Sequence, residues 1–305
     1  MRLKKCLLIS ALAFFSLQPG RSQTYLKVLG TVQDAGAPHM GCEKSCCVDL
    51  FSKPQVNLMV SSLGLVDGNQ TYVFDATPDF PAQSFNLLSE VDNGKNTPDG
   101  VFISHAHIGH YTGLMYLGRE ALGGNAVPVY VMPKMEEFIR TNGPWEQLVD
   151  LNNISLIPIK NKEVQLSSDV KVEVLVVPHR DEYSETIGFL IEGPSKRVLF
   201  IPDINKWSSW KQDIKAWIKK VDYAFLDATF YDQNEIPHRD MSEVPHPFVV
   251  ESMELFKDLN QQDKDKVYFI HLNHSNPLLN VNSEAYETVK AEGFHVARYN
   301  QKINL

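Results

Sequence analysis

The sequence predicts one α/β domain over residues 23–305. Short apolar runs rich in β-branched residues alternate with segments whose apolar residues recur at helical spacing. Several of the strand-like runs end at a histidine or an aspartate, and no internal repeat, low-complexity tract or linker separates them. Because 305 residues with 43% hydrophobic side chains can bury a large core, one mixed domain accounts for the pattern.

The charge balance bears on the kind of partner. The formal net charge is −8 and the pI is near 5.7, and no basic stripe interrupts the acidic surface composition. Nucleic acid and anionic membranes attract proteins of the opposite balance. We therefore expect a small-molecule substrate and no nucleic-acid partner, while the oligomeric state stays open.

The first 22 residues are typical of a secretory signal peptide. Arg2, Lys4 and Lys5 form a basic start, an apolar run follows from Cys6 to Leu17, and small residues stand in the polar stretch Gln18–Ser22. The apolar run is short for a bilayer span, although an uncleaved anchor is the alternative. We expect export to the periplasm or cell surface, with no stable membrane insertion after cleavage.

A strand at Thr24–Val32 leads into the loop DAGAPHMGCEKSCC. Its closely spaced cysteines, Cys42, Cys46 and Cys47, could hold a structural zinc ion, with His39 as a candidate fourth ligand. The alternative, favoured by export, is a disulfide between Cys42 and one of the adjacent pair.

Two strands, Val56–Leu63 and Thr71–Phe74, and a helix at Phe80–Glu90 come next. Asp75 directly follows the second strand. A carboxylate at such a strand end can accept an imidazole N–H and fix the orientation of a metal-binding ring, although a turn-forming role is the alternative.

The stretch VFISHAHIGHYTGLMYL, residues 101–117, carries the strongest signal for function. A short apolar run ends at three histidines spaced His-x-His-x-x-His, after which apolar residues take helical spacing. Residues two apart on a strand share a face, so His105 and His107 project together, and a turn at Gly109 brings His110 back beside them. Clustered neutral imidazoles favour zinc, iron or manganese.

The remainder of the chain alternates strands and helices and adds further candidates at strand ends. Strands are predicted at Pro128–Met132, Ile154–Ile159, Val170–Val177, Ile187–Ile191, Val198–Ile201, Val221–Leu226, Val267–Ile270 and Phe294–Tyr299, and helices at Met135–Asn142, Val249–Leu259 and Glu284–Glu292. His179, Asp203, Asp227 and His271 each follow a strand. An ionised Asp203 beside a buried strand needs a partner, which a cation supplies. A Pro-rich loop bearing His238 and His246 is predicted to cover the site.

The histidine stretch resembles the first metal motif of the metallo-β-lactamase superfamily, His-x-His-x-Asp-His, with Gly109 where that family usually carries aspartate. The resemblance implies a four-layer αββα sandwich. It also implies that His105, His107 and His179 bind a first metal, that His110 and His271 bind a second, and that Asp203 bridges both. Loss of the carboxylate at position 109 predicts a weaker second site, with partial or single-metal occupancy.

Within the superfamily, the segments VLGTVQDAGAPHMGC, DATPDF, FLDATFYDQNEI and HLNHSNPLL resemble the pyrroloquinoline-quinone biosynthesis protein B group. The resemblance implies metal-dependent hydrolysis, in which a zinc-bound water cleaves an ester, lactone, amide or phosphodiester. Asp203 would orient the nucleophile or accept its proton, and His274 would act as a catalytic or pocket residue. An iron-dependent oxidase or hydroxylase is the alternative enzyme class, and a metal-binding module without activity is the alternative outside catalysis.

Overall fold

The computed structural model describes residues 23–52, 58–159, 163–236 and 240–305. The expected signal peptide, residues 1–22, lies outside the described residues, and so does His238. Among the helices that the structure describes, none combines the length and apolar character needed to cross a membrane.

Two sheets of seven strands each form the centre of the described chain. The first sheet has the order β14-β1-β2-β3-β4-β5-β6, with β1 at Thr24–Gly30, β2 at Ser62–Asp67, β3 at Gln70–Phe74, β4 at Gly100–Phe102, β5 at Val127–Val131, β6 at Ile154–Pro158 and β14 at Lys302–Asn304. The second has the order β13-β12-β11-β10-β9-β8-β7, with β7 at Glu163–Gln165, β8 at Lys171–Val176, β9 at Ile187–Glu192, β10 at Arg197–Ile201, β11 at Tyr223–Asp227, β12 at Val267–Ile270 and β13 at His295–Val296.

Helices flank both sheets. They are α1 (Ser45–Ser52), α2 (Phe80–Leu88), α3 (Ile108–Tyr111), α4 (Pro133–Thr141), α5 (Trp145–Asp150), α6 (Ile214–Lys220), α7 (Val249–Phe256), α8 (Gln261–Lys264) and α9 (Glu284–Ala291). Short 3₁₀ turns lie at Thr112–Leu117, Trp207–Ser209, Met241–Glu243 and Pro277–Leu279.

The core is divided into layers by the sheets. Aromatic rings from both sheets meet between them, where Phe102 stacks on Phe74 at 5.0 Å and meets Phe189 edge-on at 6.1 Å. A second apolar cluster packs α2, α4 and α5 on the outer face of the first sheet, and a third packs α6, α7 and α9 on the outer face of the second. Side chains that alternate between the two faces of each strand produce this arrangement. The predicted αββα sandwich is confirmed.

Several elements differ from the sequence prediction. Residues 56 and 57 of the strand expected at Val56–Leu63 lie outside the described residues, and in the described part the strand begins at Ser62, because Val60 forms only an isolated bridge to Val32. The helix expected after His110 is one turn of α3 followed by a 3₁₀ segment. The strand β14, which sequence reasoning missed, pairs with β1 through Lys27 and Lys302. Because β14 is only three residues long, its alternation of apolar and polar residues is too brief to predict a strand.

Candidate metal centre

The predicted ligands converge because parallel strands deliver them to common sheet edges. β3 and β4 run parallel in the first sheet, and β10, β11 and β12 run parallel in the second. The carboxyl ends of parallel strands lie at one edge, where loops can present polar side chains. The histidine stretch follows β4, whereas Asp203, Asp227 and His271 stand at the ends of the three strands of the second sheet.

Four of the side chains form the group that we call site one: His105, His107, His179 and Asp203. The Oδ2 atom of Asp203 lies 3.3 Å from Nε2 of His105, 3.1 Å from Nε2 of His179 and 3.8 Å from Nδ1 of His107. Donor atoms held about 2.1 Å from one tetrahedral zinc ion are separated by about 3.4 Å. The spacing therefore fits a single divalent ion.

A second group, which we call site two, contains Asp34, His110, Asp203 and His271. Oδ1 of Asp34 lies 2.9 Å from Nε2 of His110 and 3.0 Å from Nε2 of His271. Oδ2 of Asp203 lies 3.9 Å from Nε2 of His110, so the same carboxylate oxygen reaches both groups. The six predicted histidine and aspartate ligands are thus brought together, and Asp34 joins them. We refer to sites one and two as the histidine centre.

The rings that present Nε2 to the centre are each held through Nδ1. His105 contacts Oγ of Ser104 at 2.9 Å, and His179 contacts Oδ1 of Asn205 at 3.2 Å. In the same way, Nδ1 of His110 lies 2.7 Å from Oδ2 of Asp75, and Nδ1 of His271 lies 2.9 Å from Oγ1 of Thr229. Contacts of this kind fix the ring orientation and leave Nε2 free to bind a metal. The imidazole contact expected for Asp75 is present.

Two buried polar atoms in the centre have no hydrogen-bond partner among the described residues. They are Nε2 of His179 and Oδ1 of Asp203. Leaving a buried polar atom unpaired costs about 1–3 kcal/mol, more for a charged group. Nε2 of His179 faces the other donors of site one, so a cation at that position would satisfy it, and the residues fit a bound metal.

The backbone at two of the positions adopts a conformation that is rare for side-chain-bearing residues. Asp75 has φ of 72° and His271 has φ of 65°. Such left-handed conformations cost about 1–3 kcal/mol and persist where the surrounding structure enforces them, commonly at functional sites. Here they aim the Asp75 carboxylate and the His271 ring into the centre from the ends of β3 and β12.

The electrostatics of the centre favour ionised carboxylates. Burial opposes the charge of Asp203, yet the attraction of His246 and His179 holds the pKa of this carboxyl well below its usual range. Burial likewise opposes protonation of His110, yet Asp75 and Asp34 raise the pKa of its ring well above the usual range. The surplus of buried negative charge thus attracts protons, and a metal ion would displace them.

His246, from the loop predicted to cover the site, forms a pair with Asp227 beside the centre. Nδ1 of His246 lies 2.9 Å from Oδ2 of Asp227 and 3.1 Å from Oδ1 of Asp203. Burial lowers the pKa of His246, but the two carboxylates outweigh it and raise that pKa to about 10. His246 therefore contacts the oxygen of Asp203 that faces away from the site-one rings.

The three cysteines form a separate group with His274, which we call the cysteine cluster. Sγ of Cys46 lies 3.8 Å from Sγ of Cys42 and 4.0 Å from Sγ of Cys47, and all three are unpaired thiols. Thiolates about 2.3 Å from a tetrahedral zinc ion are about 3.8 Å apart, so the spacing fits zinc. The alternative of a disulfide is not what the structure shows.

The position of His274 differs from our expectation. We predicted a catalytic or pocket role, but the structure places His274 with the cysteines, and its ring packs on His39 at 4.3 Å between centroids. His39, the expected fourth ligand, instead directs Nδ1 at the carbonyl oxygen of Met40. Burial and the neighbouring His39 lower the pKa of His274 to about 4, which keeps its ring neutral and able to bind a metal.

Asp34 is the ligand candidate that sequence reasoning missed. It lies in a loop well before the histidine stretch, and a single aspartate in a Gly-rich loop is by itself typical of a turn. The only sequence signal for such a ligand was Gly109. A metal motif that lacks its usual carboxylate can be completed by a carboxylate from another part of the chain.

Comparison with known proteins identifies the class. A model of the β-lactamase superfamily domain matches residues 70–272, and the chain belongs to this family. Within it the resemblance to the protein B group is confirmed. The Methylococcus capsulatus protein called Coenzyme PQQ synthesis protein B is 22% identical over 308 residues, covering 89% of this chain and 97% of the relative.

Solved structures show the same fold. Zn²⁺-bound PqqB from Methylobacterium extorquens superimposes with a TM-score of 0.77 at 20% identity, covering 92% of this chain and 100% of that one. A diphosphatase from the PhnP family superimposes with a TM-score of 0.64 at 21% identity, covering 93% of this chain and 97% of that one.

Proposed function

We propose that this protein is a metal-dependent hydrolase that acts on a small molecule carrying an ester, lactone, amide or phosphodiester bond. The observation that carries the proposal is the position of Asp203, whose Oδ2 atom reaches ring nitrogens of both sites. One carboxylate shared by two imidazole groups is suited to hold ions on either side of a reacting centre. The relation to a diphosphatase of the same fold supports hydrolysis.

The donor set supports zinc as the resident ion, with iron or manganese as alternatives. Site one offers three imidazoles and one carboxylate, a combination that zinc binds readily. The related PqqB structure contains Zn²⁺. A bound ion would lower the pKa of a water molecule and polarise the scissile carbonyl or phosphoryl group.

The chain's own residues then set the geometry of the reaction. Asp203 stays ionised, so that its carboxylate can accept a hydrogen bond from the attacking water and orient it. His246 contacts Oδ1 of Asp203 at 3.1 Å and, through Asp227, fixes the carboxylate on the side away from site one. Asn205 and Ser104 prevent rotation of the ligand rings.

The proposal is tested with the full chain loaded with zinc and assayed on ester, lactone, amide and phosphodiester substrates. Asp203→Asn keeps the size of the side chain but removes the shared charge, so we expect hydrolysis to fall at least about 100-fold. Asp99→Asn is a matched control, because its carboxylate is also largely buried yet belongs to neither site. Zinc retention without hydrolysis of any substrate would instead favour a metal-binding module.

One observation favours a second candidate, an iron-dependent oxidation. Without Asp203, site two contains two imidazoles and one carboxylate, the ligand set of many non-haem iron oxygenases. The relation to PqqB is compatible with that chemistry as well. Oxygen consumption that requires iron, with no hydrolysis by the zinc-loaded protein, would establish this candidate in place of the first.

A further inference from the structure

The space beside Gly109 is filled by Asp34. A Cβ atom added at position 109 would lie 2.5 Å from Cα, 2.6 Å from Oδ1 and 2.7 Å from Cβ of Asp34. Distances below about 3 Å do not occur between such atoms in folded proteins. The structure therefore excludes any side chain at position 109 as long as Asp34 occupies its present place.

The Asp34 carboxylate lies where a carboxylate in the motif would be needed. Its Oδ1 atom contacts Nε2 of His110 and Nε2 of His271 within 3.0 Å, and both nitrogens belong to rings fixed through Nδ1. A carboxylate oxygen thus stands between the two imidazoles of site two.

The loop that carries Asp34 is pinned by backbone contacts to the strand end that carries His271. The amide of Gln33 donates to the carbonyl oxygen of Leu272 at 2.8 Å, and the amide of Leu272 donates to the carbonyl oxygen of Thr31 at 2.8 Å. Val32 forms bridges to both Val60 and Leu272. Asp34 is therefore held at a fixed distance from the centre, as a metal ligand must be.

We propose that Asp34 replaces the carboxylate that the histidine motif lacks, so that site two holds its own metal ion through Asp34, His110, His271 and Asp203. Glycine at position 109 is then required to admit the substitute. The inference rests on the proposed function only in placing metal at the same centre. It also reverses the expectation of a weak second site, which assumed that no other carboxylate approached His110.

The test is the metal content of the full chain, measured after removal of metal by a chelator. Zinc is titrated back and followed by calorimetry and native mass spectrometry. For the wild type we expect two ions at the histidine centre besides one at the cysteine cluster. For Asp34→Ala we expect the affinity of one centre ion to fall about 100-fold or more, with the other ions retained.

Two further variants make the result specific. Gly109→Ala removes no donor but displaces Asp34, and we expect the same ion to weaken at least about 10-fold. Asp34→Asn keeps the shape of the side chain and so controls for misfolding. Asp99→Asn is the matched control, since its side chain is 8% exposed beside 12% for Asp34, and it should bind all ions as the wild type does.

Unchanged affinity for the second centre ion in Asp34→Ala or Gly109→Ala would overturn the inference, and so would a wild type that takes one ion at the centre. Neither result depends on catalysis. Loss of one ion in Asp34→Ala, together with absence of hydrolysis by the two-ion wild type, would uphold the inference while the proposed hydrolase function fails.

Discussion

The histidine centre draws its donors from the ends of strands in both sheets, whereas the cysteine cluster takes three of its four donors from one short segment, residues 42–47. The histidine ligands other than His107 are almost fully buried, and their rings are held by further side chains. Cys42 and Cys46 are partly exposed. A metal site built on the strands of a rigid scaffold is suited to catalysis, whereas a metal site built within a loop is suited to stabilising the conformation of that loop.

The two clusters also differ in what happens without metal. In the histidine centre, protons on the rings can compensate the carboxylates. In the cysteine cluster, burial raises the pKa of Cys46 to about 12, so the thiol stays neutral until a cation binds. The loss of metal should therefore be followed by proton uptake in both clusters, on the imidazole rings of the first and on the Cys46 thiol of the second.

Two variants, each lacking one ligand, distinguish the roles of the two clusters. His105→Ala removes a site-one ligand and should lower hydrolysis at least about 100-fold while the cysteine-bound zinc remains. Elemental analysis and the substrate panel together measure this. Loss of the cysteine-bound zinc from His105→Ala would show that the two clusters are not independent.

Cys42→Ala is the reciprocal change. It should remove one zinc ion, leave the ions of the histidine centre in place and abolish the stabilisation by zinc that this cluster confers, about 2.7 kcal/mol when free zinc is 100-fold above its dissociation constant. Unfolding by denaturant with and without added zinc measures the difference. A variant that keeps its zinc-dependent stability would contradict a structural role for the cluster.

A smaller effect is expected from the residues that hold the rings. Asn205→Ala removes the partner of His179 Nδ1 and should weaken metal binding at site one about 10- to 100-fold without removing a ligand. Zinc titration of the stripped protein measures it, with Asn234→Ala, an exposed asparagine, as the control. Equal affinity in Asn205→Ala and the wild type would mean that the ring needs no partner.

The smallest expected effect is a pH dependence of the metal-free protein. Burial lowers the pKa of His271, but the neighbouring carboxylates of Asp227 and Asp34 outweigh it and raise the pKa from 6.5 to about 9. A raised pKa stabilises the folded state fully below 6.5, and this contribution is lost as pH rises through about 9. The difference in unfolding free energy between wild type and His271→Asn, measured in chelator, should shrink over that range.

Asparagine is the suitable replacement because it tolerates the left-handed backbone at position 271. A difference that grows between pH 6.5 and 9 would contradict the charge state that we assign to His271.

Much of the fold and most ligands of the histidine centre could be predicted from the sequence, because the relevant signals are local. Each predicted ligand follows directly on an apolar strand in the sequence. One buried strand ends at His-x-His-x-x-His, and further strands end at His179, Asp203 and His271. Period-2 and period-3.6 patterns likewise predicted the sandwich.

The contacts that sequence reasoning missed join distant segments. Asp34 meets His110 across 76 positions, and His274 joins Cys42 only because the loop after β12 packs on the loop after β1. Local composition cannot encode which loops meet, since that depends on strand order and on bridges such as Val32 to Leu272. The absence of a side chain at Gly109 was the single local trace of such a contact.

We expect one chain to hold two adjacent ions in the histidine centre and a third in the cysteine cluster. Anomalous X-ray diffraction at the zinc edge, from crystals of the zinc-loaded chain, would locate each ion. We predict three peaks, two flanking the Asp203 carboxylate and one among Cys42, Cys46, Cys47 and His274. A peak in the cysteine cluster alone, with none beside Asp203, would show that the histidine centre does not bind zinc.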